Sequence, residues 1–126
     1  MGRKPNFVAA GALLAAVGVG LGAFGAHGLR NVVSPDALAI WQTATLYWLF
    51  GALGTLAYGL WRREQLSTTW PGYLLAGGTL LFGGSLCGIV LGAPRALGLL
   101  TPIGGVGLIL GFLLFALQAG RQTEKR

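Results

Sequence analysis

From Phe7 to Ala26 the chain is apolar and uncharged, and the run stops at His27, the single histidine, with Arg30 just beyond it. A helix needs about 20 such residues to cross the hydrocarbon of a bilayer. No water reaches the backbone there, so a lone segment satisfies its N–H and C=O groups only by becoming helical. This stretch therefore fixes the solvent of the chain as well as its local structure.

Composition agrees. Charged residues make up 10% of the 126, against about 25% in soluble domains, and the mean hydropathy is +0.69. A water-soluble fold of this size would lack the polar surface to cover so much apolar side chain. The net charge of +6 does not point to nucleic acid, because the basic residues sit in short clusters at the ends of apolar runs. Cys87 is the only cysteine and cannot form an intrachain disulfide; inside an apolar segment with no basic neighbour it reads as a small buried hydrophobe. Arg3 and Lys4 before the first run, with Ala23-Phe24-Gly25 near its end, also fit a cleavable secretory signal. Cleavage would leave three spans and no reason for the charge pattern of the rest, so the run is read as an uncleaved anchor.

Four apolar runs follow one another in a single transmembrane domain, at about residues 7–26, 37–61, 72–91 and 103–117. In the first, Gly11, Gly18 and Gly25 fall seven apart on one helical stripe, and Gly18 with Gly22 makes a small-xxx-small pair that favours close helix crossing. Ser34-Pro35-Asp36 opens the second: a capping hydroxyl, a proline suited to the first helical turn and a carboxylate at the positive end of the dipole. Trp41 and Trp61 near the ends of this run suit the membrane interface. Gly84, Ser85 and Gly88 give the third run a small-residue face. Thr101-Pro102 repeats the cap-then-proline pattern before the fourth, along which lie Gly104, Gly107 and Gly111; the charged tail after Gly120 is expected to fray. A faint internal echo, Gly11 to Ala15 against Gly72 to Ala76, suggests two similar two-helix units.

Seven of the nine Lys and Arg residues (Arg3, Lys4, Arg62, Arg63, Arg121, Lys125, Arg126) belong to the two tails and the middle loop, leaving Arg30 and Arg95 in the other two loops. With four spans, this bias predicts both termini in the cytoplasm.

The ordered set Gly22-Ala23-Phe24-Gly25-Ala26-His27-Gly28-Leu29, Thr43-Ala44 with Tyr47, Leu81-Phe82-Gly83-Gly84-Ser85-Leu86 and Thr101-Pro102-Ile103-Gly104-Gly105 resembles one family. It is the small four-span membrane family of domain of unknown function 423, with its bacterial YgdD-like and YwdK-like members. The resemblance covers nearly the whole chain and implies a four-helix protein of the bacterial inner membrane with no established biochemical activity. Gly51 and Cys87 stand where that family often has histidine and tyrosine, so a two-histidine metal pair or proton relay is not expected here.

The polar residues left for chemistry gather at the predicted non-cytoplasmic end: His27, Arg30, Gln42, Thr43, Arg95 and Thr101. Guanidinium groups and helix N-termini favour an anion or a lipid phosphate; the bland alternative is a set of ordinary interfacial residues. Catalysis lacks support, since no Cys–His pair, metal-ligand spacing or paired carboxylate occurs. Nor is there a carboxylate inside a span of the kind proton-coupled exporters use. The sequence thus predicts an all-α, integral membrane four-helix bundle of the bacterial plasma membrane, non-enzymatic and without cofactor or metal. Membrane lipid, a second copy or another membrane protein is the expected partner, and a small oligomeric transporter or channel is the alternative.

Overall fold

The computed structural model describes residues 5–62 and 69–125. Arg3, Lys4, Arg63 and Arg126, which carry part of the charge argument, lie outside the described residues. Among the described residues the regular structure is all helical: α1 (Phe7–His27), α2 (Pro35–Arg62), α3 (Trp70–Val90), a 3-10 turn (Arg95–Leu99) and α4 (Leu100–Lys125).

The starts of these helices follow from local chemistry. Asn6 accepts a hydrogen bond from the Ala9 N–H at 3.0 Å, and Ser34 accepts one from Ala37 at 3.1 Å, each using a free donor of the first turn. The end of α3 needs Gly92, whose φ of +107° turns the chain so that the Ala93 N–H reaches the Gly88 carbonyl at 2.9 Å. Two expectations about α4 are corrected. Thr101 does not cap α4, because the 3-10 turn leads directly into the helix at Leu100; Pro102 then falls in the first turn, where an N–H is not needed. The tail expected to fray after Gly120 stays helical to Lys125, since hydropathy marks where lipid ends and not where a helix must. The four expected spans fall on α1, α2, α3 and α4. Among the described residues three helical stretches, Phe7–His27, Trp70–Val90 and Arg95–Arg121, are long and apolar enough to cross a membrane. The 28 residues of α2 are long enough but diluted by Gln42, Thr43, Thr45, Tyr47, Thr55 and Tyr58.

Gln42, Thr43 and Tyr47 are exposed, whereas Thr45, Thr55 and Tyr58 are buried by the position of α2. Consecutive helices pack against each other, so α2 lies between α1 and α3, α3 lies between α2 and α4, and α1 and α4 make no close backbone approach. Along α1, backbone contact with α2 is possible because Gly11, Gly18 and Gly25 have no side chain. A Cβ on Gly11 would strike the Leu56 backbone, one on Gly18 would lie 2.7 Å from Trp48 Cδ1, and one on Gly25 would lie 2.5 Å from Trp41 Cδ1. Both indoles use the gap to donate to α1 carbonyls, Trp41 to Leu21 and Trp48 to Leu14, each at 2.7 Å. Trp41 is therefore not the interfacial ring its place in the run suggested; it is 2% exposed and bonded to protein. Trp48 is held from the other side by α3, where a Cβ on Gly83 would meet its ring at 2.5 Å.

The α3–α4 contact is as close. A Cβ on Gly104 would strike the Phe82 backbone, one on Gly78 would lie 2.8 Å from the Gly104 carbonyl oxygen, and one on Gly111 would lie 2.9 Å from Leu75. In the centre Gly51 of α2 faces Thr79 of α3, whose hydroxyl a side chain at Gly51 would overlap. Thr79 and Thr55 are fully buried and each donates to a carbonyl one turn back, Leu75 and Gly51, at 2.7 Å. Of the other small residues singled out from sequence, Gly88 packs under Leu97 and Gly107 makes an ordinary contact with Gly78. Gly22 and Gly84 pack no helix of this chain, having open space where a side chain would go. Their spacing was right for a crossing, but the stripes in use run through Gly18, Gly25, Gly78 and Gly83.

Candidate functional site

The antiparallel order puts the C-terminus of α1, the N-terminus of α2, the C-terminus of α3 and the N-terminus of α4 at one end, called here the His27 end. The six patch residues all belong to it. His27, Arg30, Gln42, Thr43 and Arg95 are exposed, and among the described residues no hydrogen bond or ion pair ties their side chains to one another or to the rest of the chain. Thr101 behaves differently. Its hydroxyl lies 2.6 Å from that of Ser85, which also lies 3.1 Å from the Phe82 carbonyl oxygen. With Ser85 donating to that carbonyl, Thr101 donates to Ser85, so this pair fastens α4 to α3 and stands apart from the cations.

Beneath the patch, Leu29, Trp41, Ala44 and Cys87 form a buried cluster that ties α1, its loop, α2 and α3 together. No α4 residue joins it.

The opposite end is closed. Tyr58, fully buried, sits among Phe7, Trp61 and Phe115 at ring-centroid distances of 5.7, 5.9 and 5.1 Å, while Phe7 also meets Tyr73 edge-on at 5.2 Å. All four helices contribute, with α1 entering through Phe7 and α4 through Phe115. The Phe7 ring fits because Gly72 offers no side chain, a Cβ there overlapping the ring. A polar tie completes this end. The Tyr58 hydroxyl donates to Gln118 Oε1 at 3.0 Å, joining α2 to α4, and the Arg62 guanidinium bonds the same hydroxyl. Sequence reading did not find this cluster. Tyr58 and Arg62 lie four apart on α2, a spacing that puts them on one helix face, but Gln118 is sixty residues away from Tyr58 and just past the fourth apolar run.

What such an arrangement can do chemically is limited. Among the described residues no three His, Cys, Asp or Glu side chains stand together as a metal site. The exposed groups of the His27 end are the cations Arg30 and Arg95, the imidazole of His27, neutral donors and one carboxylate, Asp36, in the first turn of α2.

Helices apolar enough for lipid and glycine stripes that bring backbones together define a helical membrane protein. The chain belongs to the family described as protein of unknown function (DUF423), whose model matches residues 21–105. It is 43% identical to the UPF0382 membrane protein of Staphylococcus saprophyticus over 88% of this chain and 93% of that one. It is also 43% identical to that of Staphylococcus epidermidis, over 88% and 92%, and 40% identical to that of Staphylococcus aureus, over 86% and 89%. No solved structure matches the chain. All six patch residues and Tyr58 fall inside the matched stretch, and Gln118 falls outside it.

Proposed function

We propose that this is a non-enzymatic, multi-pass protein of the bacterial inner membrane whose His27 end binds the phosphate of an anionic phospholipid on the non-cytoplasmic side. The register of α1 on α2 supports the fourth crossing. Gly59 packs on Phe7 and Gly25 on Trp41, so α2 accompanies the apolar run of α1 from one end to the other. From Trp41 to Gly59 that is about 27 Å at 1.5 Å per residue, close to a full hydrocarbon thickness. If α1 crosses, α2 crosses beside it. The Lys and Arg bias of the tails and middle loop then puts both termini in the cytoplasm.

The observation that carries the lipid reading is that Arg30, Arg95 and His27 stand exposed at one end with no acceptor from the described chain. Phosphate supplies the acceptors such groups lack, and a guanidinium matches it with two parallel N–H bonds. Native mass spectrometry of the detergent-purified chain with phosphatidylglycerol tests this. Retained lipid, lost in the triple variant His27→Ala, Arg30→Ala, Arg95→Ala, is the expected result. Unchanged retention in that variant overturns the lipid reading, and ion flux into vesicles that depends on His27 would replace it with a transporter. A reporter joined after Arg126 and active only in the periplasm would overturn the orientation.

A further inference from the structure

The connection from α3 to α4 lies at the depth of the helix ends and not beyond them. Thr79 of α3 stands opposite Gly51 of α2, so counting along the antiparallel pair sets Gly88 level with Gln42 and Val90 level with Ile40. Leu108 and Phe112 of α4 stand opposite Gly51 and Gly54, and counting back along these parallel helices sets Leu100 level with Thr43, about 3 Å inside Trp41. Both helices thus end near the depth of Trp41, whereas α2 runs on from there to Pro35, about 9 Å further out. The 3-10 turn between α3 and α4 does not rise away. It folds back on the last turn of α3, with Leu97 Cδ2 2.8 Å from where a Gly88 Cβ would be and Gly98 beside Ile89.

The chemistry of the connection suits that depth. Residues 91–100 carry one charge, Arg95, where the α1–α2 connection carries Arg30, Asn31, Ser34 and Asp36. Its amides turn inward: Leu91, Gly92 and Ala93 donate to the carbonyls of Cys87, Ile89 and Gly88, Leu97 donates to Pro94 and Leu100 to Leu97. A segment that meets lipid must satisfy its backbone in this way. Leu91 and Leu99 are nonetheless 61% and 74% exposed, and Arg95 is exposed as well. Leu99 leads into the exposed apolar face that α4 continues through Ile103, Val106 and Leu110.

We infer that this connection is an interfacial anchor, laid in the outer boundary of the bilayer with Leu91 and Leu99 among the acyl chains of phospholipid. Arg95, at the same depth, extends its apolar stem through the boundary and its guanidinium into the headgroup layer. The inference rests on the proposed crossing of α2, which sets the depth scale, and it does not require that the His27 end bind phosphate.

The test places spin labels on Leu91→Cys, Leu99→Cys, Asp36→Cys and Phe50→Cys, each in the full chain with Cys87→Ala, in vesicles of phosphatidylcholine and phosphatidylglycerol. Collision with oxygen, which concentrates in hydrocarbon, is compared with collision with a water-soluble nickel chelate. Expected is an oxygen-to-nickel ratio several times higher at positions 91 and 99 than at 36, approaching that at 50. A ratio at 91 and 99 as low as at 36 puts the connection in water and overturns the inference. Labels at both positions shielded from both reagents overturn it in favour of a protein partner. Nickel access at position 50 overturns the crossing of α2 and the inference with it, so the two failures read differently.

Discussion

The two ends of this bundle use similar materials to opposite purposes. At the Tyr58 end, four helices close over a buried hydroxyl with aromatic rings and an amide, and every helix has a residue in the cluster. At the His27 end, the buried cluster lacks α4, and the charged groups above it are exposed. Near Tyr58 the hydroxyl is bonded by the Gln118 amide and the Arg62 guanidinium, and these bonds stabilise the fold. Near His27 the side chains of the patch other than Thr101 have no partners in the described chain and so remain available to something else. The first end is where stability is held and the second is where binding is to be sought.

That contrast breaks most readily at Tyr58. Tyr58→Ala removes a fully buried ring from contact with three others and is expected to cost about 3–5 kcal/mol, read as a lowered melting temperature in detergent. An effect below 1 kcal/mol would mean that the Tyr58 end does not hold the bundle together. Trp48→Phe keeps most of the ring but loses the bond to the Leu14 carbonyl, and about 1 kcal/mol is expected, with Trp41→Phe similar through Leu21. Tyr58→Phe removes the hydroxyl that bonds both Gln118 and Arg62, at about 0.6 kcal/mol for each bond in a membrane interior. If Gln118→Ala adds nothing further to Tyr58→Phe, the tie between α2 and α4 is confirmed by the double-mutant cycle. Smallest of all, Arg30→Ala and Arg95→Ala should shift stability by no more than about 0.5 kcal/mol. Melting that falls by several degrees in either would place structural load at the His27 end and remove the contrast. Gly22→Ala and Gly84→Ala belong in the same near-neutral class, or slightly stabilising, because each site is open.

Much of the fold could be read from composition and spacing, and the exceptions have physical causes. The Ser34 cap and the glycine stripe of α1 were legible because both are local: the cap needs only the next three residues, and the stripe only the period of a helix. Gly51, Gly54 and Gly59 were passed over because their use depends on which helix comes to lie beside α2, and apolar runs do not encode neighbours. The same ignorance turned Trp41 into an interfacial residue; its acceptor is a carbonyl of α1, twenty residues away from it in sequence. The residues of the candidate patch were legible as a set of polar groups at one end. That Thr101 leaves the set to pair with Ser85 required the angle at which α3 meets α4.

The absence of a close backbone approach between α1 and α4 among the described residues bears on how the chain comes together as it is made. Each helix leans on the one synthesised just before it, so a newly inserted segment finds its neighbour already waiting and no early segment must stay vacant for the last. The contacts of α2 with α4, the bond from Tyr58 to Gln118 and the packing of Tyr58 on Phe115 among them, form only when the final helix has arrived, and they fasten an assembly otherwise built neighbour by neighbour.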